Sequence, residues 1–111
     1  MKPLTTARLR NRLKFFRQVR VSNGKGGFTT AWDEYATPFA EVIGLAGREE
    51  VLARALQGIE AYRITIRWRG DVKQADEIEY RGKRLNIRSA VDPDDRRREL
   101  VIMADTEVAS R

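Results

Sequence analysis

Residues 61–70 read AYRITIRWRG, and the alternation within this stretch decides the fold class. The even positions are hydrophobic: Tyr62, Ile64, Ile66 and Trp68. The odd positions are polar and mostly cationic: Arg63, Thr65, Arg67 and Arg69. Successive side chains of a β-strand point to opposite faces of the sheet. The segment therefore predicts a strand with one face in the core and one cationic outer wall.

Further strands are predicted on both sides of this one. Alternating or apolar runs occur at 13–21, 37–45, 77–80, 83–91 and 98–105. Arg81-Gly82 is a tight turn between two of them, which predicts a hairpin. SNGKGGFTTAW, residues 22–32, is predicted to be a mobile glycine-rich hairpin loop. In GREEVLARALQGI, residues 47–59, the apolar residues recur at helical spacing, which predicts a short helix.

These elements define a mainly β fold. We predict a small antiparallel β-barrel or sandwich of about six strands, with one short helix or long loop after the second strand. The 111 residues fit a single domain. Residues 1–12 are predicted to be a flexible basic lead-in, and residues 106–111 a flexible tail.

The predicted core comes from the apolar parity of these strands. Its members are Phe15, Phe39, Val42, Tyr62, Ile64, Ile66, Trp68, Ile78, Tyr80, Leu85, Ile87, Leu100 and Ile102.

The composition argues against most enzymes and against transition-metal sites. The chain has no cysteine and no histidine, so it lacks a thiol nucleophile, the usual general base and the commonest metal ligands. Asp76 and Glu77 are neighbours in a strand start and would point apart, and the acidic residues at 92–95 are typical of a turn. We expect no catalytic residue, no cofactor and no bound metal. No apolar run is long enough to span a membrane, and the basic N-terminal residues lack a secretory apolar region.

The positive charge is concentrated at the front of the chain. Residues 1–30 contain eight basic and no acidic residues, whereas residues 31–111 contain 14 basic and 16 acidic ones. Such a local field attracts nucleic acid or an acidic protein surface, and an ordinary solvated face is the alternative. The rings of Tyr62 and Trp68 lie opposite the arginines, which is the wrong geometry for stacking bases. The candidate contact residues for a subunit or for DNA are Arg8, Arg10, Arg12, Lys25, Arg48, Arg54, Arg63, Arg67 and Arg69.

The order of these features resembles the head–tail joining proteins, also called head-closure or stopper proteins, of long-tailed bacteriophages. The resemblance spans about residues 8–105. It is carried by Gly26-Gly27 and Trp32, by Phe39-Ala40-Glu41-Val42, by Gly47-Arg48-Glu49, by the strand 63–69, by the hairpin 76–87, and by Glu99-Leu100-Val101-Ile102.

The resemblance implies a structural role in the virion, at the junction of head and tail, for a protein made in the host cytoplasm. It implies a homo-oligomeric ring that forms on assembly, contacts with portal or adaptor ring proteins and with tail-junction proteins, and double-stranded DNA passing through without sequence recognition. Residues 44–59 would be a movable element facing the channel or a neighbouring subunit. Two alternatives remain at this point: a sequence-independent nucleic-acid-binding barrel, and another tail-completion component.

Overall fold

The computed structural model describes residues 7–45 and 49–107. This part of the chain forms eight antiparallel strands and one helix. In chain order they are β1 (Asn11–Arg12), β2 (Lys14–Ser22), β3 (Phe28–Ala36), β4 (Phe39–Gly44), α1 (Glu49–Leu56), β5 (Ala61–Arg67), β6 (Glu77–Tyr80), β7 (Lys83–Val91) and β8 (Glu99–Asp105).

One long bent hairpin organises the sheet. Its first arm is β1 and β2, which are separated only by Leu13, and its second arm is β3 and β4. Arg12 pairs with Phe39 near the open end, and Ser22 pairs with Phe28 beside the turn. The Leu13 N–H donates to the Pro38 carbonyl at 3.1 Å, which carries the pairing across the break between the strands.

The sheet curls because the base of this hairpin pairs with other strands along both of its edges: β4 pairs with β5, and β2 pairs with β6. The strand order is β1-β4-β5-β8-β7-β6-β2-β3. β1 lies beside β4, whereas β2 lies beside β6 over residues 14–16 only. Since β1 and β2 follow each other in the chain, the two ends of the sheet approach one another and form a partial barrel. The mainly β, antiparallel prediction is confirmed, with eight strands instead of about six.

The core lies inside this curled sheet. Eight predicted core residues are buried there: Phe15, Ile64, Ile66, Ile78, Leu85, Ile87, Leu100 and Ile102. Leu13, Ala40 and Ala104 complete the cluster, and the predicted Val42, Tyr62 and Tyr80 pack against it while half-buried. The alternation at 62–66 thus directs Ile64 and Ile66 inward as predicted.

Two core predictions are wrong. Phe39 is 55% exposed, because it begins β4 beside Pro38 and its parity points away from Ala40, which is buried. Trp68 is half-buried and outside the core cluster, because β5 ends at Arg67 and the strand alternation ends with it. The Arg97 guanidinium lies 5.3 Å from the Trp68 ring centre.

The predicted loop at 22–32 is also wrong in its extent. Only residues 23–27 form the turn, and Phe28 begins the nine-residue strand β3. The Asn23 side-chain carbonyl accepts hydrogen bonds from the Lys25 and Gly27 amides at 2.8 and 3.2 Å. Gly24 and Gly26 have φ of +75° and +80°, values that favour glycine. The glycines therefore build a defined turn.

The predicted helix is observed as α1, which ends at Leu56 and not at residue 59, while residues 47–48 lie outside the described part of the chain. Its leucine side chains, Leu52 and Leu56, are 52% and 91% exposed. Within the described residues, α1 has no extensive contact with any strand. No helix in this part of the chain has the length and apolar character needed to cross a membrane.

The described end of the predicted lead-in contacts the sheet. Leu9 is buried, and residues 11–12 form β1. Residues 1–6 and 108–111 lie outside the described residues, so the predicted flexibility of the lead-in and the tail stays a prediction.

Candidate functional site

Arginines gather around the outer side of β4. We call this the β4 surface and define it by Arg8, Arg10, Arg12, Phe39, Glu41, Arg63 and Arg67. In the sheet register, Arg63 lies opposite Ile43, and Glu41 lies opposite Thr65. Directly opposite residues of antiparallel strands share a face, so these side chains lie on the face away from the core.

An apolar groove crosses the β4 surface. Leu9, Pro38, Phe39 and Arg67 line it, and its volume is about 390 Å³. The Arg12 guanidinium lies 5.6 Å from the Phe39 ring centre and donates to the Thr37 hydroxyl at 3.3 Å. Cationic groups beside an exposed ring and an apolar groove are typical of protein interfaces.

An ion pair holds the basic lead-in against this surface. Arg8 donates from Nε and Nη2 to the two carboxylate oxygens of Glu41, at 3.0 and 2.9 Å. These hydrogen bonds raise the pKa of the Arg8 guanidinium, with further Coulombic support from Glu41 and Glu99. The two-point contact fixes the lead-in beside β4, and it places Arg10 at the rim of a second groove lined by Glu41 and Ile43.

A second surface is the outer half of the long hairpin. We call residues 17–34 the arm, because β2 stops pairing with β6 at Phe16. No residue from Phe16 to Phe39 is buried. At about 3.4 Å per residue, the strands of the arm extend roughly 20 Å from the barrel.

Near the end of the arm, apolar and cationic side chains alternate. Val21 is 45% exposed and Phe28 is 58% exposed. The Arg20 guanidinium lies 4.2 Å from the Phe28 ring centre. On the same face nearer the barrel, Arg84 lies 3.8 Å from the ring centre of Phe16 and 6.0 Å from that of Trp32.

Asp76 anchors the base of the arm. This carboxylate is buried, at 4% exposure. It accepts hydrogen bonds from Arg17 Nε at 3.1 Å, from Arg17 Nη2 at 2.7 Å, from the Tyr35 hydroxyl at 2.7 Å and from the Lys73 amide at 3.0 Å. Burial, together with the hydrogen bond to Asp76, raises the pKa of the Tyr35 phenol. Because Arg17 is in β2 and Tyr35 is in β3, one carboxylate holds both strands.

The structure brings some predicted contact residues together and separates others. The β4 surface brings together Arg8, Arg10, Arg12, Arg63 and Arg67. Lys25 lies in the turn of the arm, and Arg69 is paired with Asp71 at 2.7 Å. Arg48 and the side chain of Arg54 lie outside the described residues.

Sequence reasoning missed the arm, Asp76 as its anchor, and Arg84. The strand signal was present, because Phe28, Thr29, Thr30 and Trp32 all favour β-structure. No local pattern connects Asp76 with Arg17, which is 59 residues away.

The described residues contain no group of three or more acidic side chains arranged to hold a metal ion. Both surfaces are instead rich in guanidinium groups, aromatic rings and aliphatic side chains. Such groups suit binding between macromolecules.

A model of the phage head completion protein family matches residues 4–107. The chain belongs to this family. The resemblance inferred from the sequence is thereby confirmed, and the protein is a structural, head-associated component of a phage-type virion.

Two solved structures share the fold of this head completion protein. A chain in the virion of a native gene transfer agent particle is 21% identical, with a TM-score of 0.62, and the match covers 93% of this chain and 98% of that chain. The solution structure of protein SF1141 from Shigella flexneri 2a is 23% identical, with a TM-score of 0.71, over 96% and 100% of the two chains. A comparison with curated protein sequences found no significant match.

Proposed function

We propose that this head completion protein joins the DNA-filled head to the tail as one ring of the connector, through which double-stranded DNA passes. The family match over residues 4–107 carries the proposal. In this role the protein binds copies of itself on assembly, portal or adaptor proteins on the head side, and tail-junction proteins on the other side.

The uncovered apolar side chains of α1 support this role. An isolated helix of eight residues is marginal in water, so α1 needs a tertiary or quaternary contact to persist. Leu56 is 91% exposed in the single chain. In a ring, a neighbouring subunit would cover α1, and residues 44–59 would act as the movable element between subunits or at the channel.

The β4 surface supports a contact with a neighbouring subunit or with passing DNA. Arg63 and Arg67 are exposed, and Arg67 lines the groove that contains Phe39. The groove favours the subunit contact, because phosphate contacts alone do not require an apolar surface.

Complementation of particles that lack the protein tests the proposal. Filled heads and free tails would be purified after the gene is disrupted, and the wild-type protein would be added back. We expect tailed particles to form and DNA to stay in the heads, measured by electron microscopy and by nuclease protection. Formation of tailed particles at the same rate without the protein would contradict the proposal.

Variants of the β4 surface separate the proposed role from plain nucleic-acid binding. Arg63→Glu with Arg67→Glu is expected to reduce tailed particles strongly while the free chain stays folded. A matched control is Arg81→Glu with Arg96→Glu, which makes the same charge change away from this surface. If the first variant instead forms normal particles and loses only a salt-dependent affinity for double-stranded DNA, the nucleic-acid-binding alternative is correct.

A further inference from the structure

We propose that the arm docks into a carboxylate-bearing, partly apolar cleft on a different protein of the particle. The inference rests on the proposed function, because the partner is taken to be a head-side or tail-side protein of the junction. It goes further by naming the element that makes the contact and the chemistry of the surface that receives it.

The first support is that no residue of the arm is buried by the rest of the described chain. A two-stranded hairpin by itself is marginally stable in water. The strands of the arm expose both faces, and β3 is the terminal strand of the sheet, with main-chain groups on its outer edge. Close to the turn, Phe28 is exposed on one face of the arm and Val21 on the other. Exposed apolar and aromatic groups on a projecting element are typical of a binding anchor.

Charge defines the partner. Within the arm, residues 17–32 contain Arg17, Arg20 and Lys25 and no acidic residue, whereas Asp33 and Glu34 lie at the barrel end. Arg17 is bound to Asp76 at the base, so Arg20 and Lys25 give the outer arm its positive charge. The Arg20 guanidinium lies over the Phe28 ring, and a guanidinium stacked on a ring can still donate its N–H groups to a carboxylate. A carboxylate beside an apolar cleft would accept from Arg20 while Phe28 enters the cleft.

The same charge disfavours a second copy as the occupant. Among the described residues, the apolar groove lined by Leu9, Pro38, Phe39 and Arg67 could receive Phe28. Arg12 and Arg67 flank this groove, so an arm carrying Arg20 and Lys25 would approach like charges. Like-charge juxtaposition at an interface is unfavourable and is a common way to exclude a wrong partner.

The composition of the arm also disfavours DNA. Phosphate contacts need cations and hydrogen-bond donors, and they gain nothing from a phenylalanine or a valine. Glu34 lies on the same face as Phe16, and Glu77 is paired with Arg84 at 3.0 Å. The Glu34 carboxylate would repel a phosphate backbone that followed the face toward the barrel, whereas the charge of Glu77 is offset by Arg84.

The arm is held in one direction before it meets a partner. Asp76 fixes both of its strands at the base, and the Asn23 carbonyl fixes the turn at its end. Ordering a flexible element on binding reduces affinity, so a fixed arm retains more of its contact energy.

The test measures binding of fluorescently labelled protein to purified filled heads and to purified tails, both from particles that lack the gene. The arm variants are Phe28→Ser and Arg20→Glu with Lys25→Glu. Their matched controls are Val91→Ser, at a side chain 54% exposed elsewhere, and Arg81→Glu with Arg96→Glu. Urea unfolding, sedimentation velocity and binding to a double-stranded DNA fragment are measured for every variant.

We expect both arm variants to lose about tenfold or more in affinity for heads or for tails. Their stability, oligomeric state and DNA affinity should match those of the controls. Unchanged affinity for both heads and tails, while the wild type binds, would overturn the inference and leave the proposed function intact. A wild type that binds neither would defeat the proposed function and the inference with it.

Two other outcomes would reassign the arm. If only Arg20→Glu with Lys25→Glu loses affinity for the particles, and its affinity for the DNA fragment falls by a similar factor, the arm binds DNA. If either arm variant changes the oligomeric state of the free protein while the controls do not, the occupant is a second copy. Each of these results contradicts the proposal.

Discussion

The base and the outer half of the long hairpin have the same secondary structure and opposite environments. At the base, Phe15 is fully buried, and its ring packs edge-on against Tyr35 with centroids 6.2 Å apart. In the outer half, Phe28 is 58% exposed and contacts a guanidinium group. The difference arises because β6 lies beside β2 only as far as Phe16.

This comparison shows how one pair of strands can serve stability and binding separately. Among the described strands, β3 alone pairs with β2 beyond Phe16, so the side chains there add little to the core. A surface that contributes little to stability can change its side chains without unfolding the barrel. The substitutions below test this separation, from the largest expected effect on stability to the smallest.

Replacing one phenylalanine in each half makes the sharpest contrast. Phe15→Ala should lower the free energy of unfolding by about 3–5 kcal/mol, because it removes a fully buried ring and leaves a cavity. Phe28→Ala should change it by less than about 0.5 kcal/mol, because the ring is largely in water. Urea unfolding of the two variants checks this, and similar losses would show that the arm is part of the stable body.

The junction of the two halves should give the next largest effect. Asp76→Ala should destabilise the protein by about 2–3 kcal/mol, since it leaves Arg17 and Tyr35 without their shared acceptor. Asp71→Ala is the control, because its partner Arg69 is near the surface and such pairs contribute little. Equal effects in urea unfolding would show that Asp76 does not anchor the arm.

The dependence of the free energy of unfolding on pH should be a smaller effect, and the raised pKa of Tyr35 sets its sign. The pKa of the Tyr35 phenol is raised above its ordinary value of 10.0, first by burial and then by the hydrogen bond to Asp76. The folded state therefore retains the proton where the unfolded state releases it. The contribution of the protonated Tyr35 phenol to the free energy of unfolding is complete below about pH 10 and is lost as the pH rises through the raised pKa.

Tyr35→Phe should therefore make stability fall less steeply above pH 10 than in the wild type. Chemical denaturation at a series of alkaline pH values measures the difference. Tyr62 also has a raised pKa, so the slope of stability against pH in the wild type is compared with that in Tyr35→Phe, where Tyr62 is unchanged. Identical slopes would contradict the proposed environment of Tyr35.

The turn of the arm should give the smallest effect on global stability. Gly26 has φ of +80°, so Gly26→Ala should strain the turn locally by about 1 kcal/mol. Because the arm is separate from the core, the midpoint of global unfolding should hardly move. Hydrogen exchange should show faster exchange confined to the arm, and a large shift of the midpoint would couple the turn to the barrel.

Sequence reasoning predicted the barrel better than the arm for a physical reason. Alternating apolar and polar residues indicate a strand with one buried face. The strands that cover the core show this pattern, with Ile64, Ile66, Leu85 and Ile87 on the buried face. The arm has no buried face, so β3 lacks that alternation. Because glycine is common in loops, Gly24, Gly26 and Gly27 led to a predicted loop that also took in residues 28–32, which favour a strand.

The candidate site was predictable in part. The excess of basic residues at the front of the chain indicated a cationic surface, and five of the nine candidate arginines and lysines do share the β4 surface. The exposure of Phe39 and the stacking of Arg97 on Trp68 depend on where the strands end. The anchor at Asp76 depends on contacts between distant segments, which a single sequence does not display.

Electron cryomicroscopy of the assembled head–tail junction tests the central claim most directly. The account predicts a ring of these chains, with the barrels packed side by side and each arm inserted into an acidic cleft of a different protein. An arm directed into solvent, or one packed on a neighbouring copy, would contradict the separation of stability and binding proposed for this hairpin.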